Sequence, residues 1–259
     1  MKIEQKIFSD FINKVSFGET VEQAILNFDK DGVKAKVVSC GLCAMGDLFL
    51  SKSAFFSYEP IGKIGIKNVK RFCKIIDRFK KEISMSTTKN VIAIREGNRK
   101  SVISIAEPDF IEEAPEVDLD VLPFKASYTF GLQELVDVSR DLDALKIEGD
   151  KASKGYVIFE AKGGYLTVKS EVYEDETILR LKIASQESVK TKIQEHIFKP
   201  MIKSLSTDKV IMKLGADIPI MFVENRKELK AMYFLSPMVD DEEETEASET
   251  EAKDVEVKK

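Results

Sequence analysis

Histidine is almost absent from this sequence: His196 is the only one among 259 residues. A zinc site of the HExxH type needs two histidines and is therefore excluded. We also expect no Ser-His-Asp or Cys-His catalysis in any standard form. The nucleotide-binding motifs GxxxxGKS/T and GxGxxG are missing too. The sequence therefore predicts a protein that is not an enzyme and that needs neither a metal ion nor a cofactor.

A metal-dependent nuclease is the enzymatic alternative, because carboxylates are abundant. Such an enzyme needs an organised group of acidic ligands for its metal ion. Asp47, Asp208 and Asp217 lie beside predicted strands, but they share no common spacing. We therefore rank a nuclease far below a binding protein.

Long apolar runs are missing as well. No window approaches the roughly 18 consecutive apolar residues that a membrane span requires. The first residues alternate charged and apolar side chains, and they lack the apolar stretch of a signal peptide. We expect no membrane partner and a soluble, intracellular protein, in the cytoplasm of a prokaryote or a virus-infected cell or in a eukaryotic nucleus.

Cysteine is scarce, and the three residues Cys40, Cys43 and Cys73 fit a reducing compartment. Cys40 and Cys43 form a CxxC pair, for which a zinc site and a redox site are the functional alternatives. A zinc site needs two further ligands that the neighbouring sequence does not offer. We favour two small, half-buried structural residues.

The net charge of −5 is unevenly spread along the chain. Residues 240–259 contain ten acidic residues and three lysines, whereas residues 1–239 contain 37 basic and 35 acidic residues. Any affinity of the nearly neutral body for nucleic acid must therefore come from the arrangement of its charges. The acidic segment has little to bury and is predicted to be a disordered tail.

Short runs with strand-like alternation dominate the rest, and helical periodicity is confined to about 8–16, 67–81, 132–142 and 198–205. In the last of these, Pro200 is expected in the first turn. A strand–turn–strand pattern also recurs after 131 residues, where Phe28, Gly32, Val37 and Ser39 match Phe159, Gly163, Val168 and Ser170. The fold class predicted is α+β, with two similar domains of antiparallel sheets and two helices each. Their bounds are 1–106 and 124–239, joined by an exposed connecting segment, 107–123.

The helix predicted at 67–81 has a basic stripe opposite its apolar one. It consists of Lys67, Lys70, Arg71, Lys74, Arg78 and Lys81. Like charges at this spacing repel one another, so their concentration suggests a polyanion nearby. No aromatic residue is interleaved to stack on bases, and contacts would therefore go to phosphates, without sequence specificity. A merely solvated basic face is the alternative.

Apolar residues next to prolines end two segments, as VLP at 121–123 and YFLSP at 233–237. They could line a surface groove for partner peptides or close the core. From composition alone, core closure is the simpler interpretation.

The sequence resembles the sliding clamps of the proliferating cell nuclear antigen family. The similarity is clearest in LGADIPI at 214–220 and LKAMYFLSPMVDDEE at 229–243, which match the family's last strands and acidic end. The hairpin segment NFDKDGV at 27–33 and the basic helix at 67–79 are similar to the family's first half. The resemblance covers nearly all of residues 1–243.

This resemblance implies a toroid that encircles duplex DNA as a processivity factor for DNA polymerase. Three identical chains would close the ring, and partners such as the polymerase and the clamp loader would dock peptides in a groove. The DNA-facing residues implied are Lys14, Lys67, Lys70, Arg71, Lys74, Arg78, Lys81, Arg140, Lys199 and Lys203. The groove residues implied are Val38, Leu119, Val121, Leu122, Pro219, Phe234, Leu235, Ser236 and Pro237.

Two segments depart from the family pattern. The region around 184–196 looks short and contains a strand with Lys190 and Lys192. The helix at 132–142 carries Glu134, Asp137 and Asp141, with Arg140 as its only basic residue. Two alternatives therefore stay open. The chain could be one subunit of a hetero-oligomeric ring, or a checkpoint or transcription accessory that scaffolds proteins without sliding on DNA.

Overall fold

A computed structural model describes residues 1–39, 41–116, 121–150 and 153–238. Leu119, Cys40 and the predicted acidic tail lie outside the described residues. The described chain forms seventeen strands, four α-helices and two short 3₁₀ turns at Lys52–Ala54 and Pro108–Phe110. Its sheets are antiparallel, so the prediction of an α+β fold is confirmed.

The first half contains nine strands and two helices. The helices are α1 (Gln5–Val15) and α2 (Val69–Ile76). The strands are β1 (Lys2–Glu4), β2 (Ala24–Phe28), β3 (Gly32–Val38), β4 (Ala44–Ser51), β5 (Phe55–Ser57), β6 (Gly62–Ile66), β7 (Glu82–Thr88), β8 (Val91–Glu96) and β9 (Arg99–Ser104).

The second half contains eight strands and two helices. The helices are α3 (Leu132–Ala144) and α4 (Glu195–Ser204). The strands are β10 (Ala126–Gly131), β11 (Gly155–Lys162), β12 (Tyr165–Val172), β13 (Asp175–Lys182), β14 (Val189–Gln194), β15 (Lys209–Leu214), β16 (Ile220–Asn225) and β17 (Leu229–Leu235).

Three sheets organise the described strands. The central sheet has eight strands in the order β10-β15-β16-β17-β4-β3-β2-β6, four from each half of the chain. The halves join where β17 pairs with β4, with Leu229 opposite Leu50 and Leu235 opposite Ala44. A five-stranded sheet, β5-β1-β7-β8-β9, and a four-stranded sheet, β13-β12-β11-β14, flank this arrangement. Strands β9 and β13 are therefore edge strands, as are β5 and β14 at the opposite edges of the same two sheets.

The internal repeat corresponds to two equivalent hairpins, β2–β3 and β11–β12. In both hairpins the matched Phe, Val and Ser side chains are buried. Gly163 and Gly164 both have positive φ, 56° and 79°, as a tight two-residue turn requires. The repeated spacing in the sequence thus marks a repeated structural unit.

Two helix predictions need correction. Helix α2 ends at Ile76, because the chain then turns to bury Phe79, and the backbone N–H groups of Lys80 and Lys81 donate to Glu96 Oε1. Helix α4 begins at Glu195, so Pro200 lies in its interior and not in its first turn. A Cβ atom at Gly18 would lie only 2.5 Å from Pro200 Cα. The proline therefore sits where the first half of the chain packs against α4.

Candidate functional site

The four helices form one layer in the order α2–α1–α4–α3. Helix α1 contacts α2 through Ser9, whose hydroxyl donates to Asp77 at 2.5 Å. It contacts the end of α4 through Lys14, whose Nζ donates to the Ser204 carbonyl at 2.8 Å. Helix α4 contacts α3 through an ion pair of 2.6 Å between Lys199 and Asp143. The layer thus runs across the boundary between the two halves of the chain.

The basic stripe is exposed at one end of this layer. All six predicted cations from Lys67 to Lys81 are exposed, although Arg78 and Lys81 lie just beyond the end of α2. Asn68 caps the helix by accepting from the Arg71 N–H at 2.7 Å. Lys80 is also exposed, and the helical spacing missed it because it lies off the stripe. These six residues therefore present an exposed, mainly cationic surface, in which Asp77 is also exposed and Lys70 is paired with Glu19.

The other end of the layer is acidic. Helix α3 exposes Asp137 and Asp143, and Arg140 is paired with Asp137 at 3.1 Å. Lys199 is mostly buried between Asp143 and Glu195, with its side chain 18% exposed. Lys203 is the exposed cation among the predicted residues of α4. The structure therefore places positive charge at the α2 end and negative charge at the α3 end.

The prediction that Lys14 faces DNA is wrong. Its side chain is fully buried, and its Nζ donates to Glu224 Oε2 at 2.7 Å and to Ser206 Oγ at 2.9 Å. Burial lowers the pKa of Lys14 below its ordinary value of 10.5, while Asp10 and Glu224 oppose that shift. No local sequence pattern indicates this burial, because Glu224 lies 210 residues away.

A second, smaller apolar cluster lies on the side of the central sheet that faces away from the main core; it is the candidate groove and is called the groove below. Its floor is Met45, Met221, Met232 and Phe234, with Val38, Val223, Leu122 and Phe124 packed around them. These side chains form rows across four strands, since Phe234 pairs with Met221 on one side and with Met45 on the other. The groove is thus built from both halves of the chain.

The predicted groove residues have mixed outcomes. Val38, Leu122 and Phe234 belong to the groove. Leu235 does not, because successive residues of a strand point to opposite faces and its side chain is buried in the main core. Pro219, Ser236 and Pro237 are half-buried, and Val121 is 70% exposed.

The groove residues that were missed are Met45, Met221, Met232, Val223 and Phe124. The period-two alternation of β4, β16 and β17 is the signal that could have found the first four.

The described part of the connecting segment crosses this face of the sheet. Ala114 is buried in the groove cluster, and Ile111 is buried nearby. Two ion pairs tie the segment down, Lys63 with Glu113 at 2.5 Å and Lys36 with Glu116. Both pairs are largely exposed, so each contributes at most about 1 kcal/mol. The segment is therefore held in place mainly by its buried apolar side chains.

Within the described ranges, no group of three or more His, Cys, Asp or Glu residues could hold a metal ion. Of the helices in the described chain, none is both long and apolar enough to cross a membrane.

The fold is similar to several solved structures of proliferating cell nuclear antigen (PCNA). The A. fulgidus protein, solved with the C-terminal region of FEN-1 bound, has a TM-score of 0.78 and 15% identity; 93% of this chain and 98% of that one are covered. The Entamoeba histolytica protein has a TM-score of 0.77 and 15% identity, with coverages of 92% and 98%. A PCNA2–PCNA3 complex from Sulfolobus tokodaii gives 0.72 and 14%, with coverages of 93% and 100%. No protein-family model and no curated protein sequence matches the chain.

Proposed function

We propose that this chain, which has the fold of the PCNA sliding clamps, works as a clamp that encircles duplex DNA without reading its sequence. The observation that carries the proposal is the exposed cationic surface of α2 and the turn after it, on a helix layer that spans both halves of the chain. The apolar groove on the central sheet would receive peptides of replication and repair proteins.

Phosphate contacts would give the DNA affinity. Lys74, Arg78 and Lys81 are exposed, and no ion pair holds their side chains within the described part of the chain. Cations of this kind bind phosphates and release counterions, which gives affinity that falls with salt and carries no sequence information. A protein that slides along DNA needs this type of contact.

Ring closure is supported by two of the edge strands. Strand β9 exposes Val102, which is 55% accessible, and β13 exposes Ile178 to the same extent. Two different edges on one chain favour head-to-tail contacts, which close into rings when the rotation between subunits allows it. Such a contact would also bring the basic α2 of one copy towards the acidic α3 of the next. We propose three identical chains in the ring.

Crosslinking of the two edges tests this arrangement. A Val102→Cys/Ile178→Cys variant is expected to form covalent dimers and trimers with a short bismaleimide, because neighbouring strands lie only about 5 Å apart. Denaturing electrophoresis reads the products. The unaltered chain, with its own three cysteines, and the two single variants are the controls. If the double variant yields no more crosslinked product than these controls, β9 and β13 do not meet.

Partners would include DNA polymerase, a clamp loader and other proteins that carry groove-binding peptides. Support comes from the groove itself and from the A. fulgidus neighbour, which was solved with a region of FEN-1 bound.

A hetero-oligomeric ring is the second candidate, and the acidic surface of α3 favours it. In a ring of identical chains, this surface would bring three acidic helices near the DNA. The S. tokodaii neighbour is itself a complex of two different clamp chains. A third candidate, a scaffold that does not slide, makes no use of the α2 surface.

Threading onto DNA tests the proposed function without a clamp loader. A duplex is tethered to a bead at one end, and its other end is left open while the chain is added. Blocking that end with bound streptavidin is then expected to retain the chain through a wash in high salt, whereas the chain is lost from an open end. Equal loss in both cases would contradict encirclement by this chain alone.

A further inference from the structure

The carboxylate of Asp47 lies on the same face of the central sheet, beside the apolar groove. Asp47 lies on β4, directly opposite Met232 of β17 and Lys36 of β3. Its neighbours two residues away on the same strand face are Met45, which belongs to the groove floor, and Phe49. Along β4, this charged group therefore lies between two apolar side chains, and across the sheet it lies between Met232 and Lys36.

Two of the three cations around Asp47 are paired with other carboxylates. The Lys36 ammonium group binds Glu116 of the connecting segment, and Lys34 binds Asp29 at 2.8 Å. The Asp47 carboxylate has neither a hydrogen bond nor an ion pair with any residue in the described ranges. Because it is half-buried, it also lacks part of the hydration that would stabilise its charge.

The pKa of the Asp47 carboxyl agrees with a half-buried carboxylate that has no ion-pair partner. Burial raises the pKa of the Asp47 carboxyl above its ordinary value of 3.8; Glu116 adds to the shift, while Lys36, Lys230 and Lys34 oppose it. A cation placed next to the Asp47 carboxylate would lower the pKa of this group again, because it would stabilise the ionised form.

We infer that the groove selects partner peptides in which a lysine or arginine binds Asp47 while neighbouring apolar side chains cover Met45 and Phe234. This inference rests on the proposed function, because it assigns the chemistry of the peptide that the groove would receive. A cation from the partner makes a charge-assisted hydrogen bond with the carboxylate in a partly apolar site, where such bonds are stronger than in water. A peptide with only apolar side chains would instead bury the carboxylate without a partner.

Other cations that could pair with the Asp47 carboxylate, a metal ion or Lys230, are less consistent with the structure. A metal ion needs several ligands, and no suitable group of them exists in the described part of the molecule. Lys230 is the remaining cation nearby, and it lies opposite Phe49, two residue pairs further along the strands. If Lys230 turned to neutralise Asp47 in solution, the selectivity for basic peptides would be absent.

A peptide scan tests the inference. The probes are fluorescein-labelled 14-residue peptides with one leucine and two phenylalanines as fixed anchors. A guest residue is placed at each other position in turn, as lysine, norleucine, glutamine or glutamate. Dissociation constants are measured by fluorescence anisotropy on the full chain, on Asp47→Asn and on Asp47→Leu. A peptide with all three anchors replaced by alanine is the control for groove binding.

At one or two guest positions, lysine is expected to bind about tenfold more tightly than norleucine, as a hydrogen bond to a charged group allows. Asp47→Asn is expected to remove most of this preference, and Asp47→Leu is expected to favour norleucine. Equal affinities for lysine and norleucine peptides that still need their anchors would overturn the inference and leave the proposed groove intact. If no peptide bound in an anchor-dependent way, both the groove and the inference would be wrong.

Discussion

Replacing Lys14 by methionine is expected to lower the free energy of unfolding by about 3 kcal/mol, the lower end of the range for breaking a buried ion pair. The variant keeps the length of the side chain but removes the ammonium group that contacts Glu224, Ser204 and Ser206. Glu224 is fully buried and would be left with Arg226 as its remaining cation, at 2.9 Å. Urea unfolding followed by circular dichroism measures the change.

The loss of stability should come from breaking the ion pair between Lys14 and Glu224 and not from the loss of a positive charge. Lys6→Met, on the exposed side of the same helix, is the matched control and should change stability by less than about 0.5 kcal/mol. The double variant Lys14→Met/Glu224→Leu should recover much of the loss, since apolar residues can replace a buried ion pair. If Lys14→Met and Lys6→Met had the same stability, the buried network would not hold the two halves of the chain together.

Reversing three charges on the cationic surface is expected to weaken duplex binding strongly without unfolding the chain. In the Lys74→Glu/Arg78→Glu/Lys81→Glu variant, each lost phosphate contact should reduce the slope of log K against log salt by about 0.9. Three contacts would reduce it by about 2.7 and weaken binding in low salt by more than about tenfold. Anisotropy of a labelled 40-base-pair duplex, measured over a range of salt, gives both values.

A matched variant separates this surface from the effect of net charge. Lys30→Glu/Lys89→Glu/Lys162→Glu changes the net charge by the same amount, but Lys30 and Lys89 lie in turns between strands and Lys162 is the last residue of β11. It should bind the duplex nearly as well as the unaltered chain. If the two triple variants weakened binding equally, the basic stripe would be an ordinary solvated face.

Features that depend on one segment of the sequence could be predicted, whereas features that depend on contacts between distant segments could not. The α+β class, the repeated hairpins and the exposed stripe on α2 depend on spacing within one segment, and all three were predicted. The burial of Lys14 depends on a contact with Glu224 across both halves of the chain, and no local pattern reports such a contact. The length of α2 was overestimated, because the turn that follows it is fixed by Glu96 on a distant strand.

The groove was only partly predictable for a related reason. The resemblance identified the segments that form it, but the orientation of each side chain depends on strand register. Phe234 and Leu235 are adjacent in sequence, yet one faces the groove and the other the core. Asp47 could not be recognised as a groove residue until β4 was paired with both β3 and β17.

The mass of the native assembly tests the central claim most directly, because encirclement requires a ring of several chains. Native mass spectrometry over a range of micromolar concentrations is expected to show one species at three times the 29.2 kDa of the single chain. A strict monomer at every concentration would contradict a ring made of this chain alone.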